Sequence, residues 1–247
     1  MNAAPATPET RQRLVVAALE LFWEKGYGST SIADILGRAN ANAGSLYHFF
    51  PTKQDLLLEV LDTYHRGIDA MLLQPAWAGI DDPLQRVFAL LARYRGLIEM
   101  TECAYGCPIG SLALELHEPD LPVRQRLANN FSAWTDAVER CFAAVPTLPP
   151  DVDRRRLAEF ALTTMEGGVM LTRTYRDARY FDRAVATLRD YLARLTGASP
   201  GAGLDLPVVP DPVPSPGRAR GGTPGKSRAR KPRRTPKKNV TKKKRSK

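Results

Sequence analysis

The chain has 247 residues, 43% of them hydrophobic and 25% charged, enough to bury a sizeable core in one or two domains. The longest early apolar run, Leu14 to Leu19, is six residues and is closed by Glu20. Nothing nears the ~20 residues that cross a bilayer, so no membrane partner is expected. No signal peptide is visible either, and a cytoplasmic, nucleoid-associated location follows as the expectation. Cys103, Cys107 and Cys141 are odd in number and poorly spaced for a disulfide framework.

The formal charge of +10 is unevenly spread. Residues 198–247 hold 15 of the 36 Lys/Arg but, among the acids, only Asp205 and Asp211, a net +13. The rest has 21 basic and 24 acidic residues and is mildly negative.

Residues 1–8 are small and polar with two prolines, which predicts disorder. Thr10 to Lys25 reads as a helix, with Leu14, Ala17, Ala18, Leu21 and Phe22 on one face and Gly26 in the stop position. Thr30 is placed to N-cap a short second helix carrying Ile32, Ile35 and Leu36 at i, i+3 and i+4. Asn40 stands where the chain must reverse, a position that favours a residue tolerant of the left-handed conformation. Asn42 caps a third helix, Ala43 to Phe49, which Phe50-Pro51 ends. Two short helices joined this way have the geometry that lays the second in a DNA major groove.

Thr52 opens a long helix to Leu73, with Asp55 completing a capping-box pattern. A turn-rich break, Gln74-Pro75 through Asp82-Pro83, precedes further helical patterns at Leu84–Met100, Ile109–His117, Leu121–Val145, Asp153–Arg173 and Phe181–Leu195. Thr101 to Pro108 reads as irregular. No stretch sustains period-2 alternation, so the fold class is all-α. Residues 197–216 form a Pro-rich linker, and 217–247 a Lys/Arg-rich tail without the hydrophobic pattern a core needs.

The stretch T-S-I-A-D-I-L, followed by A-N-A-N-A-G-S-L-Y-H-F-F-P-T-K-Q-D-L-L, resembles the helix-turn-helix of the tetracycline-repressor (TetR/AcrR) family of bacterial transcription regulators, over about Arg11 to Leu61. It departs where Asn40 replaces the usual Gly, Ala41 the usual Val, and Ala43 a common Lys or Arg. The resemblance implies a DNA-reading domain over residues 9–51 and a helical effector-binding and dimerisation domain over 52–196, linked by helix 52–73. It also implies that Thr30, Tyr47 and Lys53 anchor the DNA backbone, and that Asn42, Ala43, Gly44 and Ser45 lie nearest the bases. Ser31 at the head of the second helix and His48 join this set; His48 alternatively packs against its helix.

From Glu9 to Tyr64 there are five Lys/Arg against seven Asp/Glu. One copy binds DNA weakly on such a balance, so a homodimer is expected to grip a two-fold site. Gly167 and Gly168 inside a helix suggest close approach of another backbone, either across the dimer interface or within one subunit.

The segments C-P-I-G-S-L-A-L-E-L and E-G-G-V-M-L-T-R-T-Y-R-D resemble one subgroup of the family. An effector, of unknown identity, is then expected among Phe88, Tyr94, Tyr105, Phe131, Trp134, Met165 and Met170, which read equally well as solid core. Glu115, Glu166 or Arg173 are the candidates for a polar contact. Cys103 and Cys107 read first as buried inert thiols, with redox or electrophile sensors as the alternative. Ser111 and His117 have no triad partner at recognisable spacing, and no phosphate-cradling loop or metal cluster appears, so no catalytic site, cofactor or metal is expected. The tail resembles those of histone-like proteins, which leaves a nucleoid-associated architectural protein as the alternative to a ligand-responsive repressor.

Overall fold

The computed structural model describes residues 7–197. The expected linker 197–216 and basic tail 217–247 lie outside the described residues except for Gly197, as does the N-terminal segment 1–8 except for its last two residues. Those two are helical in role: Thr7 is an N-cap whose Oγ1 accepts the Thr10 N–H at 3.2 Å, and Pro8 takes the first position of α1 (Pro8–Lys25). Proline suits that position because its missing N–H would have no helical partner there. Gly26 ends α1 at φ +88°.

Every regular element among the described residues is helical: α2 (Ile32–Ala39), α3 (Ala43–Phe49), α4 (Lys53–Ile68), α5 (Gln74–Trp77), α6 (Pro83–Met100), α7 (Pro108–Glu115), α8 (Leu121–Ala143), α9 (Arg154–Tyr175) and α10 (Arg179–Thr196). Local chemistry sets most of the ends. Asp82, Asp120 and Asp153 accept the N–H three residues ahead at the starts of α6, α8 and α9. Thr52 and Asp55 form a reciprocal capping box on α4.

The break expected at Gln74-Pro75 does not occur there. A π-helical turn over Asp69–Leu73 leads from α4 directly into α5, whose first turn holds Pro75. The wider turn accommodates a proline ring that would otherwise meet the carbonyl four residues back. The chain leaves the helix only after Trp77.

Two hydrophobic cores hold the helices. The upper one packs α6, the C-terminal half of α8, α9 and α10 around Phe88, Phe142, Phe181 and Met165, each at most 1% exposed. The lower one joins Leu14, Ile35, Leu46, Leu57 and Leu61 of α1 to α4 with Ile109 and Leu112 of α7 and Val123 and Leu127 of α8. Each such buried side chain contributes about 1.5–3 kcal/mol. Helices α1 to α3 therefore share one core with α4, α7 and α8.

Polar ties follow the same route. Glu115 at the end of α7 accepts the N–H of Tyr27 at 2.9 Å and of Gly28 at 2.6 Å. Trp23 Nε1 donates to the Gly106 carbonyl at 2.7 Å. Gln54 donates to Asp120 at 2.6 Å, Arg126 to Asp62 at 3.0 Å, and Asn130 to the Leu61 carbonyl at 3.0 Å.

Candidate nucleic-acid interface and effector cavity

The α2–turn–α3 unit is fixed by its own residues. Ser31 caps α2: its Oγ accepts the Asp34 N–H at 3.1 Å while its N–H donates to Asp34 Oδ2 at 2.8 Å. Thr30 does not have the capping role expected of it. It is 1% exposed, and its hydroxyl donates to the Gly26 carbonyl at 2.6 Å and toward Leu21 at 3.3 Å, sealing the end of α1. Asn40 reverses the chain at φ 46°, and the Ala41 N–H reaches back to the Leu36 carbonyl at 3.1 Å. Asn42 caps α3, its Oδ1 accepting the Ser45 N–H at 2.9 Å.

Helix α3 rests on Leu46 at 0% and Ser45 at 5% exposure. Ser45 therefore faces inward, which corrects its expected place among the base-proximal residues. Ala43, Gly44, Tyr47 and His48 are exposed and form the outer face. The His48 ring packs edge-on against Phe49, centroids 4.9 Å apart, so its packing role coexists with exposure.

The five cations of residues 9–64 are all engaged. Arg11 pairs with Glu59 at 2.7 Å, Lys25 with Asp34 at 2.8 Å, and Arg38 with Glu20 and Glu24 at 3.0 and 2.9 Å. Arg13 donates to the Ala39 carbonyl at 3.1 Å. Lys53, expected as a phosphate anchor, instead donates to the Tyr27 carbonyl and stands over the Tyr27 ring at 4.1 Å. Burial pushes its pKa down. The outer face of α3 thus presents small and neutral hydrogen-bonding groups, and the cations of residues 9–64 are bonded elsewhere in the chain.

A cavity of about 260 Å³ lies at the seam of the two cores. Its walls are Leu19 and Trp23 of α1, Tyr64 and Ile68 of α4, Met71 and Leu72 of the π turn, Tyr94 and Leu97 of α6, Cys107, Pro108 and Ile109 at the head of α7, Asn130, Phe131 and Trp134 of α8, and Leu162, Met165 and Glu166 of α9. Of the seven expected lining residues, Tyr94, Phe131, Trp134 and Met165 are there. Phe88 is instead solid upper core, Tyr105 packs on Trp23 with centroids 5.1 Å apart, and Met170 is 46% exposed. Leu19 and Trp23 are among the walls that were not expected. Both stand off the apolar stripe of α1, and an off-stripe tryptophan was the available signal.

Of the three polar candidates, Glu166 lines this cavity. Burial pushes its carboxyl above the usual carboxylate range, and the neighbouring Cys107 thiol partly offsets this. Gly110 leaves it room: a Cβ there would stand 2.0 Å from Glu166 Oε2. Glu115 belongs to the tie on α1 described above. Arg173 reaches Ser111 at 3.4 Å in a separate, more polar groove shared with Met170 and Arg176.

The Cys103 and Cys107 thiols are both pushed up by burial, Cys107 further by Glu166. Cys107 is buried and Cys103 only partly so, which makes Cys107 the closer match to an inert thiol. No group of three or more His, Cys, Asp or Glu is placed to hold a metal among the described residues, and no helix there is long and apolar enough to cross a membrane.

The two paired glycines of α9 separate. A Cβ on Gly168 would meet Phe181 of the same chain at 3.0 Å, so this glycine serves α9–α10 packing within the subunit. Gly167 has nothing within 4 Å of that point. It shares an outer stripe with Phe160 and Leu171, which are 45% and 39% exposed, and Phe160 meets Tyr191 of α10 edge-on at 5.9 Å.

Comparison with known proteins covers both cores. Residues 14–60 match the family model described as bacterial regulatory proteins, tetR family, and residues 83–188 the one described as tetracyclin repressor-like, C-terminal domain. An HTH-type transcriptional regulator of Mycobacterium tuberculosis is 34% identical over 188 residues, 74% of this chain and 93% of its own. The transcriptional regulator AcuR of Cereibacter sphaeroides is 32% identical over 182 residues, 68% of this chain and 78% of its own. A regulatory protein TetR from Rhodobacter sphaeroides superposes with a TM-score of 0.66 at 27% identity, covering 72% of this chain and 96% of that one.

Proposed function

The chain belongs to the tetracycline-repressor family of DNA-binding transcriptional regulators, and we propose that it works as a homodimeric repressor released from a palindromic operator by a small molecule in the seam cavity. The observation that carries this reading is that Leu19 and Trp23, on the helix that supports the DNA reader, are walls of that cavity. An effector there touches the reader's own scaffold.

Two routes lead outward from the cavity. Along α4, Tyr64 and Ile68 border it while Leu56 and Leu57 hold the reader core. Along α7, Cys107 to Ile109 border it at one end, and Glu115 holds the Tyr27 and Gly28 N–H groups at the other. Displacing either helix re-aims α3, and coupling of about 1–3 kcal/mol, typical of two linked sites, changes operator affinity 5- to 150-fold. The outer face of each α3, with Ala43, Gly44, Tyr47 and His48, enters one major groove. Its lack of a committed cation makes a second copy necessary. The Phe160–Gly167–Leu171 stripe with Tyr191 supplies an apolar face for that pairing.

The comparisons give no support to the architectural alternative; they align reader and body with transcriptional regulators. Genomic footprinting with purified full-length protein tests the reading. The expected result is a small set of two-fold promoter sites bound by a species of twice the chain mass in sedimentation. Uniform coverage of DNA, or binding by a monomer, overturns it.

A further inference from the structure

Two residues that line the seam cavity carry buried polar atoms of opposite sense. Trp134, 3% exposed, has an indole N–H without a hydrogen-bond acceptor, and Glu166 Oε1 is without a donor. The Tyr94 hydroxyl acts on the first residue and the Cys107 thiol on the second, but neither brings Trp134 Nε1 or Glu166 Oε1 into hydrogen-bond geometry. A buried polar atom left in that condition costs free energy that a ligand group can recover.

The rest of the wall is apolar or aromatic. Trp23, Tyr64, Tyr94, Phe131 and Trp134 provide ring faces and edges, and no Lys, Arg or His borders the space. An anionic ligand would meet Glu166 with no compensating cation. An ammonium ligand would satisfy Glu166 and leave the indole unpaired. A carbonyl or ether would satisfy the indole and leave Glu166 unpaired. A hydroxyl accepts and donates at one atom, whereas an amide or imidazole does so only from two separated atoms. A cavity of ~150 Å³ holds benzene, so about 260 Å³ takes a molecule of one or two rings.

We infer that the cavity selects an uncharged, compact, aromatic or alicyclic alcohol or phenol, its hydroxyl paired with Trp134 and Glu166. This rests on the effector reading above and specifies the chemical class of the effector.

Isothermal titration calorimetry of the full-length protein tests it with one matched series: 2-naphthol, naphthalene, 2-methoxynaphthalene, 2-naphthoate and 2-naphthylmethylammonium. 2-Naphthol should bind about tenfold more tightly than naphthalene or the methyl ether, one good hydrogen bond's worth, and the two ions more weakly still. Trp134→Phe should remove most of that advantage while leaving naphthalene binding in place. Glu166→Met should do the same, and it serves if loss of the indole impairs folding. Equal binding of naphthol and naphthalene, or preference for either ion, overturns the ligand class and leaves the effector site standing. If no probe binds at its solubility limit, the cavity accepts no such ligand, and the effector reading fails with the inference.

Discussion

The upper and lower cores differ in what they hold still. The upper core is closed by α6, α8, α9 and α10 packed on one another, with Phe88, Phe142 and Phe181 filling the space between them. The lower core is shared: α1 to α4 bring the DNA reader, while α7 and the front of α8 supply Ile109, Leu112, Val123 and Leu127. Tyr94 packs against both, and the cavity lies beside it. On the function proposed above, one region serves as a fixed base and the other as a joint. A void at a joint is a place where a small occupant moves something; the same void within the base would only cost stability.

Substitutions separate base from joint. The largest effect belongs to the base: Phe142→Ala, at 0% exposure, should cost about 3–5 kcal/mol and lower Tm by about 10 °C in thermal unfolding, in one transition because the cores are fused. Two separate transitions would break the comparison. On the reading face, Tyr47 is 52% exposed, so Tyr47→Ala should leave Tm unchanged and weaken operator binding about tenfold in a mobility-shift titration. At the joint, Glu115→Ala should lower stability by about 1 kcal/mol while reducing effector-driven operator release about tenfold. A variant with full release would remove α7 from the coupling route.

The smallest effect is a pH dependence at Glu166. Its folded pKa lies above the unfolded value because of burial, so the ionised form is the disfavoured one. The penalty is present above the folded pKa and disappears as pH falls below it. Glu166→Gln should therefore raise Tm by about 2 °C at alkaline pH, and the gain should shrink on acidification toward the unfolded carboxylate range. A pH-independent difference would place Glu166 outside the buried wall.

The joint was also the part least legible in the sequence. Asn40, Asn42 and the Thr52/Asp55 pair act within three or four residues, and local chemistry of that kind can be read directly from a chain. The error at Thr30 was avoidable, because Ser31 with Asp34 three residues on carries the capping-box spacing. Pro75 looked like a break because a π turn that accommodates a proline ring has no sequence signature. The cavity was half legible. Apolar periodicity marks Phe88 and Trp134 alike as buried, yet one fills a core and the other borders a void. That difference arises from the meeting of α1, α4, α6, α7, α8 and α9, which no single stretch encodes.

The most direct test of coupling at the joint needs no ligand. Leu162 of α9 borders the cavity and stands outside the reader, so Leu162→Trp fills the space from the far side. Operator affinity of this variant, measured against the wild type on the footprinted site, should fall at least tenfold while dimer mass and helix content stay unchanged. Unchanged affinity in a folded variant whose cavity is filled would contradict the coupling.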